Sequence, residues 1–312
     1  MVTVPRFRTT DVVAELEPSV GRLLERHLAA ARPWFPHAFV PWSDATDFDG
    51  PLGGTPWSPE QSVLPQAVQD ALVVNLLTED NLPSYHLELA GVAGLRGSWG
   101  EWVHRWTAEE GRHAEALRAY LHARRAVDPV RLEQERMRHV GIGHHTGQPT
   151  ALHVIAYTTV QELATREAHR NTGRLCGDPL GEQLMAKIAA DENLHMLFYR
   201  DLYADALQVA PDAAVAALAD VICGFSMPGS AIPGFRRRSL RIAKAGIYNL
   251  DIHRRQVVLP LLRHLGIMNL PDLGPEGDQA QHRIASHLEH LSATAERFQA
   301  LFTQKAGTPV TD

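Results

Sequence analysis

The sequence predicts an all-α protein. From Leu64 to about Phe225 apolar residues recur three and four apart, as in AVQDALVVNLL and LGEQLMAKIAADENLHMLFYRDLYADAL. Alternating apolar and polar strand patterns with turn dipeptides are scarce. The breaks between periodic stretches are short and carry glycine or proline.

Taken in order, residues 1–63 form an N-terminal arm. It mixes one amphipathic stretch, VGRLLERHLAAARPWF, with proline- and glycine-rich segments such as DFDGPLGGTPWSPEQ. The core, about 64–225, is punctuated at GLRGSWG (94–100), VDPV (127–130), GIGHHTGQPT (141–150), CGDP (176–179) and APD (210–212). A third region, 226–312, opens with SMPGSAIPGF and returns to helical periodicity; its tail KAGTPVTD is expected to fray. No linker is long or polar enough to separate folding units, so residues 1–312 read as one domain.

Composition narrows the function classes. The chain has 312 residues, of which 45% are hydrophobic, enough for a sizeable core. No run approaches the roughly 18 apolar residues of a membrane span. The opening MVTVPRFRTTDVVAELEP lacks the apolar segment of a secretory signal, so a cytoplasmic location is expected. Two cysteines, Cys176 and Cys223, make neither a disulfide framework nor a thiolate metal site. A formal charge of −6 argues against nucleic acid as a partner.

Three Glu-x-x-His pairs occur: Glu101/His104, Glu110/His113 and Glu192/His195. With 19 glutamates and 17 histidines, about one such pair is expected by chance. Glu101 and Glu110 are nine residues apart, about half a helical turn out of phase, so their pairs face opposite ways. Leu117, Tyr120 and Leu121 continue the face of Glu110/His113, which leaves Glu101/His104 as a solvated pair.

Upstream of each remaining pair lies a single glutamate. Glu79 precedes Glu110 by 31 residues and Glu162 precedes Glu192 by 30. The chain therefore repeats one pattern: a helix with one glutamate, a turn, then a helix with Glu-x-x-His. Two such hairpins form a four-helix bundle, and this residue set is the one that holds two metal ions in ferritin-like carboxylate bundles. Iron moving between ferrous and ferric states needs hard anionic oxygens and a few nitrogens. Four carboxylates nearly balance two ferrous ions. Without metal, four glutamates converging in a core would repel one another.

The flanking residues resemble the soluble acyl-acyl-carrier-protein desaturase family. TEDNLPSYH, TAEEGRH, QELAT and AADENLH are similar to its four ligand helices in order, RPWFPHAFVPW to the tryptophan segment before them, and GFSMPG to a short match after. The resemblance implies a ferritin-like four-helix bundle with additional N- and C-terminal helices. It implies two iron ions, with manganese as a substitute: Glu79, Glu110 and His113 on one, Glu162, Glu192 and His195 on the other, and Glu110 and Glu192 bridging. It places Thr165 beside the oxygen-binding side. Asp191 becomes the acceptor of a bond from His113, with Trp34 as a further partner on a path for electrons.

The activity implied is O2-dependent insertion of a cis double bond into an acyl chain on acyl-carrier protein. The implied partners are the acidic carrier protein, a ferredoxin-like electron donor and a second copy of the chain. Arg236, Arg237, Arg238, Arg241 and Lys244 are the candidate carrier-protein dock, with Arg22, Arg26 and Arg32 as a second cluster. Trp106 and Arg112 read as packing and ion-pairing residues. Glu88 departs from the family, standing where an apolar, chain-lining residue is expected. The rival readings are another di-iron oxygenase, such as a hydroxylase or N-oxygenase, a ferritin-like iron-oxidising protein, and a non-catalytic descendant that binds carrier protein.

Overall fold

The structure, a computed structural model, describes residues 9–306; the last six residues of the tail expected to fray lie outside the described residues. The helices are α1 (Thr9–Ala30), α2 (Gln66–Glu79), α3 (Leu82–Ala93), α4 (Gly97–Ala123), α5 (Pro129–Ile142), α6 (Ala151–Arg174), α7 (Pro179–Val209) and α8 (Pro211–Gly224), followed by α9 (Phe235–Lys244), α10 (Leu250–Ile252), α11 (Leu259–His264) and α12 (Pro275–Ala306). A π-helical turn, His253–Val258, joins α10 to α11. Among the described residues there is no strand, only an isolated bridge between Phe48 and Thr55.

Local chemistry sets the helix starts. Asp128 accepts from the backbone N–H groups of Val130 and Arg131, Thr150 from that of His153, and Asp178 from that of Leu180. Proline follows Asp128 and Asp178 at the first helical position, where a missing N–H costs nothing.

Two elements differ from the sequence reading. The amphipathic stretch of the arm extends to 22 residues as α1. Its Val12, Leu16, Val20, Leu23 and Leu24 are buried in the bundle core, so this part of the arm packs as a full helix of the bundle. The first glutamate-bearing helix is also not continuous. It stops at Glu79, turns at Asp80–Asn81 and restarts as α3. Pro83 has no N–H to give the Glu79 carbonyl, which ends the ladder there. Glu88 therefore lies on α3 and Glu79 on the last turn of α2.

Helices α2, α4, α6 and α7 surround the centre. The apolar core falls into two clusters, one containing Trp102, Trp106, Leu163 and Tyr199, the other Leu72, Leu76, Leu117 and Ile188. Along α4 the buried polar residues Glu109, Glu110 and His113 lie between Trp106 and Leu117. Along α7, Asp191, Glu192 and His195 lie between Ile188 and Tyr199. A polar layer is thus sandwiched between two dry ones.

Candidate metal centre

That layer gathers the six residues singled out by spacing. All are buried, with His113 and His195 at 0% exposure and Glu162 and Glu192 at 1%. Among the described residues three groups have ligand atoms close enough to share an ion. One is His27, Glu109 and His195; the other two are built from these six: Glu79, Glu110, His113 and Glu192, and Glu110, Glu162, Glu192 and His195. Glu110 and Glu192 belong to both. His113 Nδ1 lies 3.4 Å from Glu110, 3.4 Å from Glu192 and 3.8 Å from Glu79. His195 Nδ1 lies 2.7 Å from Glu110 and 3.6 Å from Glu162.

Each histidine is held from behind. His113 Nε2 is 3.3 Å from Asp191 Oδ2, and His195 Nε2 is 3.0 Å from Glu109 Oε2. A carboxylate can only accept, so each Nε2 carries a proton and each Nδ1 is the ring atom turned inward, the one that would offer its lone pair to a bound metal ion. Those two Nδ1 atoms, Glu110 Oε1 and Glu162 Oε2 are buried and make no hydrogen bond of regular geometry, although His195 Nδ1 and Glu110 Oε1 are 2.7 Å apart. Buried polar atoms are seldom left this way. The donor set, four carboxylates and two imidazoles with inward-facing Nδ1 atoms, fits a pair of divalent first-row ions.

Electrostatics agree. Burial, then the charges of Glu192 and Glu110, push Glu162 well above the usual carboxylate range. Burial and Glu192 also raise Glu110. Burial opposes ionisation of Glu79 most strongly, yet the bonds from His113 and His169 outweigh it and hold Glu79 low. His113 and His195 resist burial because carboxylates surround them, and both are pushed well above the ordinary imidazole value.

Around this centre the structure sorts the remaining candidates. Trp34 Nε1 donates to Asp191 Oδ2 at 2.7 Å, as does Arg112 at 2.7 Å, with the Arg112 guanidinium 4.9 Å over the Trp34 ring. Thr165 Oγ1 lies 2.7 Å from Glu192 Oε2 and 3.1 Å from the carbonyls of Gln161 and Glu162. Its single proton serves one of the three. Trp106, expected only to pack, donates to Glu162 Oε1 at 3.0 Å. Glu101 and His104 are exposed. Glu88 accepts from the Thr146 hydroxyl and lines a cavity of about 30 Å³ with Tyr85, Trp106, Tyr157 and Tyr199.

The basic cluster at 236–244 is corrected. Arg238 is buried at 8% exposure and pairs with Glu135 at 2.7 Å and Asp70 at 3.6 Å. Arg241 pairs with Asp70. These two tie α9 to α2 and α5, so Arg238 cannot meet a partner. Arg236, Arg237 and Lys244 are exposed. In the second cluster Arg22 and Arg26 pair with Asp205 and Asp201 at 2.6 and 2.7 Å, and Arg32 is exposed.

Sequence reasoning missed three residues. Glu109 mirrors Asp191: each directly precedes the Glu of a Glu-x-x-His and reaches the histidine of the other hairpin. His27 on α1 lies 2.9 Å from Glu109. His169 on α6 brings Nε2 to 3.4 Å from Glu79 and 3.6 Å from Glu192. The Glu-Glu and Asp-Glu doublets were a readable signal for Glu109; nothing in the sequence marked the two histidines.

A helical bundle whose centre gathers four carboxylates and two imidazoles defines the ferritin-like carboxylate proteins. Residues 8–310 match the family described as Fatty acid desaturase, and the chain belongs to that family. It is 46% identical over 297 residues to Mycobacterium tuberculosis DesA1, which carries the name acyl-[acyl-carrier-protein] desaturase; the match covers 93% of this chain and 88% of that one. It is 29% identical over 287 residues to the chloroplastic stearoyl-[acyl-carrier-protein] 9-desaturase 6 of Arabidopsis thaliana, covering 85% and 72%. The X-ray structure of DesA2 from M. tuberculosis superposes with a TM-score of 0.72 at 30% identity, covering 86% of this chain and 98% of that one.

Proposed function

We propose that the protein is an acyl-[acyl-carrier-protein] desaturase, in which Glu79, Glu110, His113, Glu162, Glu192 and His195 hold two iron ions. The observation that carries this reading is the convergence of two inward-facing Nδ1 atoms and four buried carboxylates on one centre. Iron bound there supplies O2 activation and the oxidising power to remove two hydrogens from adjacent saturated carbons. Manganese meets the same donor preferences and is the expected substitute.

The chain's own groups do the rest. Asp191 and Glu109 lock the tautomer of the two ligand imidazoles. Thr165 holds a proton 2.7 Å from Glu192, at the edge of the centre. A narrow cavity of about 30 Å³ next to Glu162, walled by Tyr85, Leu89, Trp106, Tyr157 and Tyr199 together with Glu88, marks where the acyl path would reach the centre once it widens. An alkyl chain has no reactive group, so the carbon attacked is chosen by position alone.

Partners follow from charge. A concavity of about 530 Å³ outside Trp34 and Asp191 is lined by Arg32, Arg166, Arg170 and Lys187. It suits an acidic, ferredoxin-like electron donor, with Trp34 and Asp191 leading inward to His113. Arg236, Arg237 and Lys244 remain as the dock for acidic carrier protein, Arg236 standing beside an apolar cavity of about 560 Å³. We read the chain as one domain and a homodimer, with exposed Leu87, Val130, Met137 and Ile142 for a second copy to cover. Among the described residues no helix is long and apolar enough to cross a membrane; we place the protein in the cytoplasm.

Aerobic turnover with reduced ferredoxin and a panel of saturated acyl-carrier proteins, read by mass spectrometry, tests the proposal. Loss of two mass units from the acyl chain supports it; gain of sixteen identifies a hydroxylase, and no change rejects the activity.

A further inference from the structure

Three imidazoles, not two, converge on the centre. His169 is 1% exposed and its Nε2 has no hydrogen-bond partner of regular geometry. The atoms nearest that nitrogen are Glu79 Oε1 at 3.4 Å and Glu192 Oε1 at 3.6 Å. Its other nitrogen, Nδ1, lies 3.2 Å from Asn75 Nδ2.

What stands behind each ring decides what it presents in front. Behind His113 and His195 stand carboxylates, which accept from Nε2–H and leave Nδ1 as the atom that would offer a lone pair to a metal ion. Behind His169 stands an amide N–H, which donates and therefore needs a lone pair at Nδ1. The proton of His169 must then sit on Nε2, pointing at two carboxylate oxygens.

We propose that His169 is a positioning residue that donates its Nε2–H to Glu79 and Glu192, fixing how these carboxylates present their oxygens to the metals. It does not ligate metal itself. An N–H directed at a carboxylate oxygen would fix the orientation of that carboxylate, as outer partners do for metal ligands. The inference rests on the assignment of the six residues as ligands.

Cobalt(II) titration of the full-length metal-free protein, followed by visible absorption, tests it. Three variants are compared with the wild type: His169→Phe, which removes the donor; His169→Gln, whose amide restores one; and Asn75→Leu, which keeps His169 but removes the group that orients it. Circular dichroism checks the fold of each. The proposal expects His169→Phe to bind as many cobalt ions as wild type, about tenfold more weakly and with altered absorption. His169→Gln recovers most of the affinity, and Asn75→Leu shifts it the same way by less. If His169→Phe does not fold, the His169→Gln and Asn75→Leu titrations decide. Wild-type titration curves and spectra in all folded variants overturn the proposal. Loss of one whole cobalt equivalent in His169→Phe or His169→Gln also overturns it, because His169 is then a ligand. A wild type that binds no cobalt removes the six-ligand assignment instead, and is told apart by that.

Discussion

His195 is held by Glu109, 3.0 Å from its Nε2, although the two residues come from different hairpins. Asp191 holds His113 in the reciprocal way at 3.3 Å. Each Glu-x-x-His helix therefore steadies the other's histidine. Replacing Glu109 by Ala is expected to weaken binding of one metal ion by about 10–100-fold while the other is retained. Stepwise metal titration reads this; a variant binding both ions as tightly as wild type contradicts it.

Thr165→Val keeps the shape of the threonine and removes its hydroxyl. Metal content and melting temperature should stay close to wild type, since the lost hydrogen bond is worth about 1 kcal/mol. Turnover should fall on the order of 10²-fold, the usual size of a lost proton-handling group. Equal turnover in the two proteins would make Thr165 a helix threonine bonded to its own backbone, the 3.1 Å contacts to Gln161 and Glu162 being sufficient for that.

Glu88 is the polar residue on α3 that faces the small cavity, held by the Thr146 hydroxyl and, at 3.2 Å, the Thr146 N–H. About 30 Å³ is too little for an alkyl chain. Glu88→Leu removes the carboxylate and its tie to the 143–150 segment. The expected outcome is a shift of the preferred acyl chain toward greater length, read as product yield across a chain-length series. An unchanged profile would place Glu88 outside the acyl path.

Acid sensitivity has a traceable source in His253. It is buried, stacked 5.0 Å from Phe225, with the Tyr248 hydroxyl 2.8 Å from its Nδ1. Burial, then the charge of His287, lowers its pKa from 6.5 to about 4. Its contribution to stability is therefore present above pH 6.5 and lost as the pH falls from there toward 4, where only the unfolded chain binds the proton. The loss amounts to roughly 3 kcal/mol. Denaturant melts of His253→Phe should lose less stability across that window than wild type. Parallel loss in both proteins contradicts the assignment.

Much of this could be read before the structure. The helix breaks at 94–100, 127–130, 141–150, 176–179 and 210–212 carry proline or glycine, and each spans a junction between two observed helices while overlapping a helix end, by as much as Gly97–Gly100 at the start of α4. The six buried carboxylates and imidazoles stood out because their spacing repeats. What stayed hidden depends on distant partners. Arg238 looks like a surface cation in PGFRRRSLRIAK, and only Glu135, 103 residues away, makes it a buried one. His169 lies seven residues past Glu162, two helical turns on and hence on the same face, but seventeen histidines made one more at helical spacing uninformative. The interruption before α3 was available in Pro83, yet the apolar period runs through it and masked the turn.

The most direct measurement is the iron content of protein loaded anaerobically with ferrous iron and desalted, beside a Glu110→Ala/Glu192→Ala variant. The account predicts about two irons per chain in the wild type, reporting as a coupled pair by Mössbauer spectroscopy after oxidation, and loss of that pair in the variant. Wild-type protein that retains no iron, or a variant that holds the same coupled pair, would contradict it.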